Sequence, residues 1–425
     1  MAPNTVILGA GIIGVSTAYY LSQRQEPSSV HLVETSPELF SSASGYAGGF
    51  LAKDWFAPPV ATLGALSFEE HRRLAQEHDG REKWGYAPAT CVSYAASASA
   101  RDSQKRGDDW LRDGTSRADA APVALDSRAE KAPAWLRRVE GDHVELISDE
   151  GTTAQVDPLL LCQFLLGECL KRGVKLHHPA KAVSVSLDEN GELTGVRIVE
   201  TKAATERKLS CARLVITAGS WTAQVFQTLF PKSEVRIPIR SLAGHSLVLK
   251  SPRWHSRVEN NGCHAVFTTH NEAFCPEMFS RLGGHIYFAG LNSSTLPVPD
   301  AAAGKATPSG ESLAQLREAA KKILGAGAEA QDDLEVVREG LCFRPVTPWG
   351  TPIVSRIQDQ DLGPGVVTRP GAEGGVFVAA GHGPWGIAMS LGTGIVLAEM
   401  LQGRELSADI SELAFDGDKA RLYAN

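Results

Sequence analysis

The sequence predicts an α/β chain, α+β overall, in which a parallel-sheet unit is interleaved with a second domain of antiparallel sheet. Three observations carry this expectation. The 425 residues exceed what one ordinary core supports. The first 34 residues read as strand, glycine turn, helix and strand. Segments from residue 236 onward alternate apolar and polar residues, as half-buried antiparallel strands do. The composition, 43% hydrophobic and 21% charged with 7 Cys, excludes a disulfide scaffold, a disordered chain or a fibre. A formal net charge of −7 gives no electrostatic reason to expect nucleic acid or an anionic membrane, so small molecules are the favoured partners.

The first element is the apolar strand Thr5 to Gly9. It feeds the turn Gly9-Ala10-Gly11-Ile12-Ile13-Gly14, and a helix is expected over Val15 to Gln23. A second strand, Val30-His31-Leu32-Val33, ends on Glu34, twenty residues past Gly14. Each part has a physical task. Gly9 makes the tight turn, Gly11 admits a pyrophosphate to backbone N–H groups, Gly14 lets helix and strand pack closely, and the helix N-terminus offers partial positive charge. Glu34, followed by Thr35, would bind ribose hydroxyls, and an acid there argues against a 2′-phosphate and hence against NADP. The fingerprint implies a Rossmann-like dinucleotide unit and suits NAD or FAD. A second Gly/Ser-rich stretch favours the longer cofactor: Ser41-Ser42-Ala43-Ser44-Gly45-Tyr46-Ala47-Gly48-Gly49-Phe50 follows Glu34 and can pass close to it.

Asp157-Pro158 reads as an N-cap with Pro at the first helical position, and Gly173 ends that helix. Val174 to His177 is a strand, and Ala182 to Leu187 with Leu193 to Val199 form a hairpin about Asn190-Gly191. Arg213 to Thr217 is a further strand running into Ala218-Gly219-Ser220-Trp221. Strands are also expected over Arg236 to Lys250, His264 to Thr269 and His285 to Leu291, with an amphipathic helix over Glu311 to Leu324. Ala95 to Ala134, rich in Ala, Ser, Arg and Asp, is expected as an exposed excursion. These segments divide into a discontinuous cofactor domain with a β-meander (1–85, 151–232, 335–425) and an antiparallel-sheet substrate domain (86–150, 233–334).

The seven cysteines show no Cys-x-x-Cys pair, and the nearest approach to a cluster, Cys263, His264, His270 and Cys275, has no metal-site spacing. No metal is expected. The longest apolar stretch, Ile387 to Leu401, is too short to span a bilayer and reads as a buried helix. With a strand where a secretory leader would stand and no targeting motif at Leu422-Tyr423-Ala424-Asn425, a cytoplasmic protein is expected.

The ordered set of the first glycine turn, Glu34, Ala43-Ser44-Gly45, Val156-Asp157-Pro158, Thr217-Ala218-Gly219-Ser220-Trp221, Arg344-Pro345 and Gly381-His382-Gly383 resembles the D-amino-acid oxidase family of FAD-dependent oxidoreductases. That family includes sarcosine and glycine oxidases. The Ala43 to Phe50 and Gly383-Pro384-Trp385-Gly386 segments look most like a fungal branch of it. The resemblance implies that Gly9, Gly11, Ile12, Ile13 and Gly14 meet the FAD pyrophosphate, and that Glu34 and Thr35 meet the adenosine ribose. It implies that Val183 meets adenine through its backbone, that Ser42, Ala43, Ser44, Gly48 and Gly49 line the pyrophosphate and ring, and that Ala218, Gly219 and Trp221 flank the cofactor. Gly383, Pro384, Trp385, Gly386 and Ile387 would sit against the flavin, with the following helix N-terminus stabilising its reduced form.

Arg344 falls where glycine oxidase-like members hold a substrate carboxylate, and its planar fork suits that task, an ordinary ion pair being the alternative. Trp349 replaces the acid that dehydrogenase members carry after Arg-Pro-x-Thr-Pro, His382 and Trp385 would shape the pocket, and Lys53 is a candidate for oxygen activation. Cys342 stands five residues before Thr347-Pro348, the spacing of the flavin-linked cysteine in sarcosine oxidase-like members. A covalent link would need a thiolate, which Arg344 could favour only in competition with the carboxylate. The implied reaction is hydride transfer from an amino acid or secondary amine to flavin N5, followed by imine hydrolysis, with O2 or another electron acceptor. The alternatives are an FAD-binding interaction or regulatory protein without turnover and an NAD-dependent dehydrogenase.

Overall fold

The computed structural model of the chain describes residues 4–95, 117, 121, 132–148, 151–259, 262–269, 274–326 and 332–423. A six-stranded sheet runs in the order Ile353–Ile357, Gly375–Ala380, Arg213–Ile216, Thr5–Leu8, Val30–Val33, Lys175–His177. All its neighbours pair parallel except Ile353–Ile357, which is antiparallel at one edge. Its central strands are Val/Ile/Leu-rich because both faces are covered. Ile7 faces one way, into a core shared with the helices Ile12–Leu21, Pro158–Arg172 and Ser390–Gln402. Val6 and Leu8 face the other, against the antiparallel meander Ala180–Leu187, Leu193–Glu200 and Thr205–Ser210.

The helix after Asp157 starts and stops as its punctuation requires. Asp157 Oδ1 accepts from the N–H groups of Leu159 and Leu160, and Gly173 closes the helix in the left-handed conformation. Ile12–Leu21 begins three residues earlier than expected, so the second half of the glycine fingerprint is already helical and Gly11 is its N-cap. The strand expected from Arg236 starts at Arg240, because Pro238 has no N–H to give a ladder. The expected late helix begins at Ser390, after a 3-10 turn over Gly383–Trp385, rather than directly after Gly386.

The second, nine-stranded sheet runs Glu335–Val346, Arg240–Lys250, His285–Ser293, Glu277–Arg281, Cys263–Thr269, Ala87–Ala95, Thr153–Gln155, Phe50–Ala52, with His143–Ser148 also paired to Ala87–Ala95. Alternation sorts its two faces. Met278, Ile286 and Phe288 pack on Leu313 and Leu316 of the helix Gly310–Leu324, while Phe279, Tyr287 and Ala289 turn to the opposite side. Glu335–Val346, which the expected boundary at 335 assigns to the cofactor unit, is laddered antiparallel to Arg240–Lys250 along its whole length.

The expected exposed excursion, Ala95 to Ala134, lies mostly outside the described residues. Arg117 within it is buried, 6% exposed, which corrects the expectation at that residue: its guanidinium is turned inward onto Glu277. Among the described residues no group of three His, Cys, Asp or Glu converges as a metal site, and none of the helices is long and apolar enough to cross a membrane. His270 lies outside the described residues.

Candidate active site

One elongated cavity, about 1970 Å³ including the space open to solvent, runs from the glycine turn to the nine-stranded sheet.

At one end the two glycine-rich stretches meet. Ser44 Oγ accepts from Ile12 N at 2.9 Å, placing the second stretch over the N-terminus of the first helix. Glu34 binds the turn itself, its Oε2 accepting from Ala10 N at 2.9 Å and its Oε1 from Ser36 N at 2.8 Å. Gly9 has φ +104°, and a Cβ there would stand 2.6 Å from Thr217 O. A Cβ on Gly14 would stand 2.0 Å from Gly9 O, so helix and strand pack at a distance only glycine permits.

The middle of the cavity is walled by Gly48, Gly49, Ala218, Gly219 and Trp221. Buried Arg281 fixes the first of these by donating to Gly48 O at 2.8 Å and to the preceding Ala47 O at 2.6 Å. Trp221 Nε1 donates to Pro299 O at 2.8 Å, which brings the loop Pro299 to Gly304 against the same wall.

At the far end lie Cys342, Arg344, His382, Gly383, Pro384, Gly386 and Ile387. An isolated bridge between Val346 and His382 ties this turn to the end of the strand carrying Arg344. Arg344 Nη1 donates to Asn292 Oδ1 at 2.6 Å. Burial pulls its guanidinium down, but the charges of Cys342, Tyr287 and Glu277 around it hold it above its ordinary value. Burial pushes the Cys342 thiol up, against the pull of Arg344 and Arg338, so the expected activation of the thiol by Arg344 does not prevail.

Of the residues expected at the site, Gly9, Gly11, Ile12, Ile13, Glu34, Thr35, Ser42, Ala43, Ser44, Gly48, Gly49, Ala218, Gly219, Trp221, Cys342, Arg344, His382, Gly383, Pro384, Gly386 and Ile387 line this cavity. Four do not. Gly14 acts behind the wall, through packing. Val183 is the extra residue at a register shift between Ala182 and Ser184, and the bulge leaves Lys181 and Ala182 facing the cavity instead. Trp385 is buried behind the lining, against Phe56 at 5.0 Å and Phe50 at 6.3 Å between ring centres. Lys53 lies outside, half-exposed and paired to Glu69 at 2.8 Å on the helix Pro58–Glu77, which removes the reason to give it oxygen chemistry. Sequence reasoning missed Arg117, Glu277, Phe279 and Tyr287, all of which line the cavity. Tyr287 lies on the strand expected over His285 to Leu291, and the alternation of 277, 279 and 281 is the signal for Glu277 and Phe279.

The residues present fit FAD. Ser42 lines the cavity and its buried Oγ has no hydrogen-bond partner, and the helix N-terminus and glycine turns offer a cradle that side chains would fill. Gly9 to Ile13 and Ser42 to Ser44 would hold the pyrophosphate, Glu34 the ribose, and the 342–345 and 382–387 segments the flavin.

Two buried histidines support the far end. His71 Nε2 donates to Ile387 O at 3.0 Å, and His382 Nε2 meets Thr393 Oγ1 at 3.1 Å. Burial lowers both rings to about 4. Unfolded, they protonate near pH 6.5, so the unfolded chain binds more protons between about pH 6.5 and 4. Stability is therefore expected to fall as pH drops through that window. Denaturant midpoints measured on either side of it check this, and the difference shrinks in His71→Gln.

A family model described as DAO, FAD dependent oxidoreductase, matches residues 4–400. The chain is 26% identical over 440 residues to a Schizosaccharomyces pombe protein named as oxidoreductase C1F5.03c, with 97% of this chain and 98% of that one covered. A D-amino acid dehydrogenase of Methylobacterium nodulans is 24% identical over 448 residues, with 94% and 96% covered. In fold, the crystal structure of glycine oxidase from Geobacillus kaustophilus superposes with a TM-score of 0.70 at 18% identity, covering 98% of each chain.

Proposed function

The chain belongs to the DAO family of FAD-dependent oxidoreductases, and from that premise we propose that it oxidises the C–N bond of an amino acid or secondary amine. FAD, when bound, supplies the hydride acceptor at flavin N5, and water hydrolyses the imine left behind. Membership of this family also decides against the NAD reading of the glycine fingerprint.

The observation that carries the proposal is Arg344, a buried guanidinium in the cavity wall, held by Asn292 beside the segments that would seat the flavin. Such a fork binds a carboxylate through two parallel charge-assisted hydrogen bonds and so orients the carbon next to it. The aromatic floor of Phe279 and Tyr287 excludes water around it. The dehydrogenase and oxidase likenesses, to proteins named for amino acids, support the same substrate class.

Anaerobic mixing of the FAD-loaded protein with a panel of amino acids and secondary amines tests the proposal. Bleaching by at least one member is expected; a flavin that none of them reduces leaves an FAD-binding protein without turnover.

Cys342 faces the cavity, but its thiol is raised by burial, the wrong direction for the thiolate that a thioether to the flavin requires. Non-covalent FAD is therefore the expected result of acid precipitation: a white pellet under a yellow supernatant. A yellow pellet with a mass increment of one FAD on the Cys342 peptide would establish the link instead.

A further inference from the structure

We propose that Glu277, braced by Arg117, receives the nitrogen of the substrate and makes the cavity selective for amino acids over the matching hydroxy acids. This rests on the amine-oxidising reading above and adds the group that recognises the amine. Glu335–Val346 is the edge of the large sheet, three strands from Glu277–Arg281. Arg344 nevertheless reaches towards Glu277. Its side chain lies across Gly244 of the neighbouring strand, where a Cβ would stand 2.2 Å from Nη1 and 2.8 Å from Cζ. It ends on Asn292 of the next strand, His285–Ser293, which is directly beside the strand of Glu277. Glu277 pairs with Ala289, three residues along that strand from Asn292, so guanidinium and carboxylate are offset both across and along the sheet by on the order of 10 Å. The gap between them accommodates a molecule bearing a carboxylate and an amine on one carbon.

The floor of the gap is formed by Phe279 and Tyr287, whose rings lie parallel with centres 5.8 Å apart, and the Tyr287 side chain hydrogen-bonds the Arg344 guanidinium. Glu277 closes its far side. It is 8% exposed, and Ala289, its ladder partner, is too small to cover it. One nitrogen, Arg117 Nη2, serves both of its oxygens, at 3.3 and 3.2 Å. A carboxylate has about four acceptor positions, so Glu277 retains capacity for further donors. Arg117 is itself fixed, its guanidinium 5.0 Å over the Trp385 ring. An ammonium brings two or three N–H donors and the opposite charge to this carboxylate; a hydroxyl brings one neutral donor and leaves the ligand anionic. The carboxylate therefore favours the amine and disfavours the hydroxy acid.

The test uses the FAD-loaded protein under anaerobic conditions, titrated with matched pairs (glycine and glycolate, alanine and lactate, phenylalanine and phenyllactate) and followed by perturbation of the flavin spectrum and by calorimetry. The wild type is expected to bind the amino member more tightly. In Glu277→Gln that member weakens about tenfold to a hundredfold, the scale of a charge-assisted hydrogen bond, while the hydroxy member does not weaken. Glu277→Asp, which keeps the charge but retracts it, gives a smaller loss, again confined to the amino member, and serves if the Gln variant fails to load FAD. Equal affinities within every pair, or equal weakening of both members in the variant, would show that Glu277 and Arg117 only brace the wall and would overturn the inference. If the wild type binds neither member of any pair, the amino-acid reading itself falls and takes the inference with it.

Discussion

Gly14→Val is expected to yield a colourless protein, or none that is soluble. The first β-carbon of any side chain there would stand 2.0 Å from Gly9 O and 2.8 Å from Thr217 Oγ1. The nearer obstacle is backbone at the end of a central strand, which cannot rotate away as a side-chain tip would. To admit the carbon, Ile12–Leu21 must lift from the sheet, and the N-terminus that would meet the pyrophosphate lifts with it. Visible absorbance and the denaturant midpoint of the purified variant read the two losses separately. A yellow protein with full FAD and an unchanged midpoint would refute the assignment of this turn as the phosphate cradle.

Arg344→Gln is expected to lower kcat/KM by a hundredfold or more while leaving FAD content unchanged. Two charge-assisted hydrogen bonds to a carboxylate contribute about 1.5–3 kcal/mol each, and Gln can replace at most one, without the charge. Because orientation of the reacting carbon is lost with the anchor, the fall is expected in kcat as well as KM. The loss should be confined to carboxylate-bearing substrates, so comparing an amino acid with its amide separates anchoring from general damage. Equal loss on both would mean that Arg344 supports the wall through Asn292 rather than holding substrate.

The cofactor end was largely legible in the sequence because its geometry is local. Gly9, Gly11 and Gly14 are dictated by one turn, Glu34 by the end of the next strand, and Asp157 and Gly173 by the two ends of one helix. Val183 sits on a bulge, which shifts the register of its strand by one residue without a marker in the chain. The substrate end was harder to read. Glu277, Phe279 and Tyr287 are placed by register between distant strands, and an alternating strand does not announce which of its faces is the cavity. Arg117 comes from a segment whose composition reads as solvent-exposed, and only its ion pair with Glu277 shows that it turns inward. Lys53 fails for a similar reason: its proximity in sequence to the second glycine stretch says nothing of Glu69, which holds it outside.

The order of strands in the parallel sheet also constrains how the protein can be made. Arg213–Ile216 takes its second neighbour from Gly375–Ala380, far later in the chain. From the emergence of residue 216 until residue 375 leaves the ribosome, a fully buried strand has one bare edge of backbone donors and acceptors and apolar side chains with nothing over them. Such an edge invites pairing with a second nascent chain. The turn Gly383–Trp385 and the helix Ser390–Gln402 arrive later still, so a complete flavin seat cannot form until they have emerged. Chains arrested before residue 375 are expected to aggregate, and FAD added during synthesis is expected to raise the soluble yield only of chains that extend past Gln402.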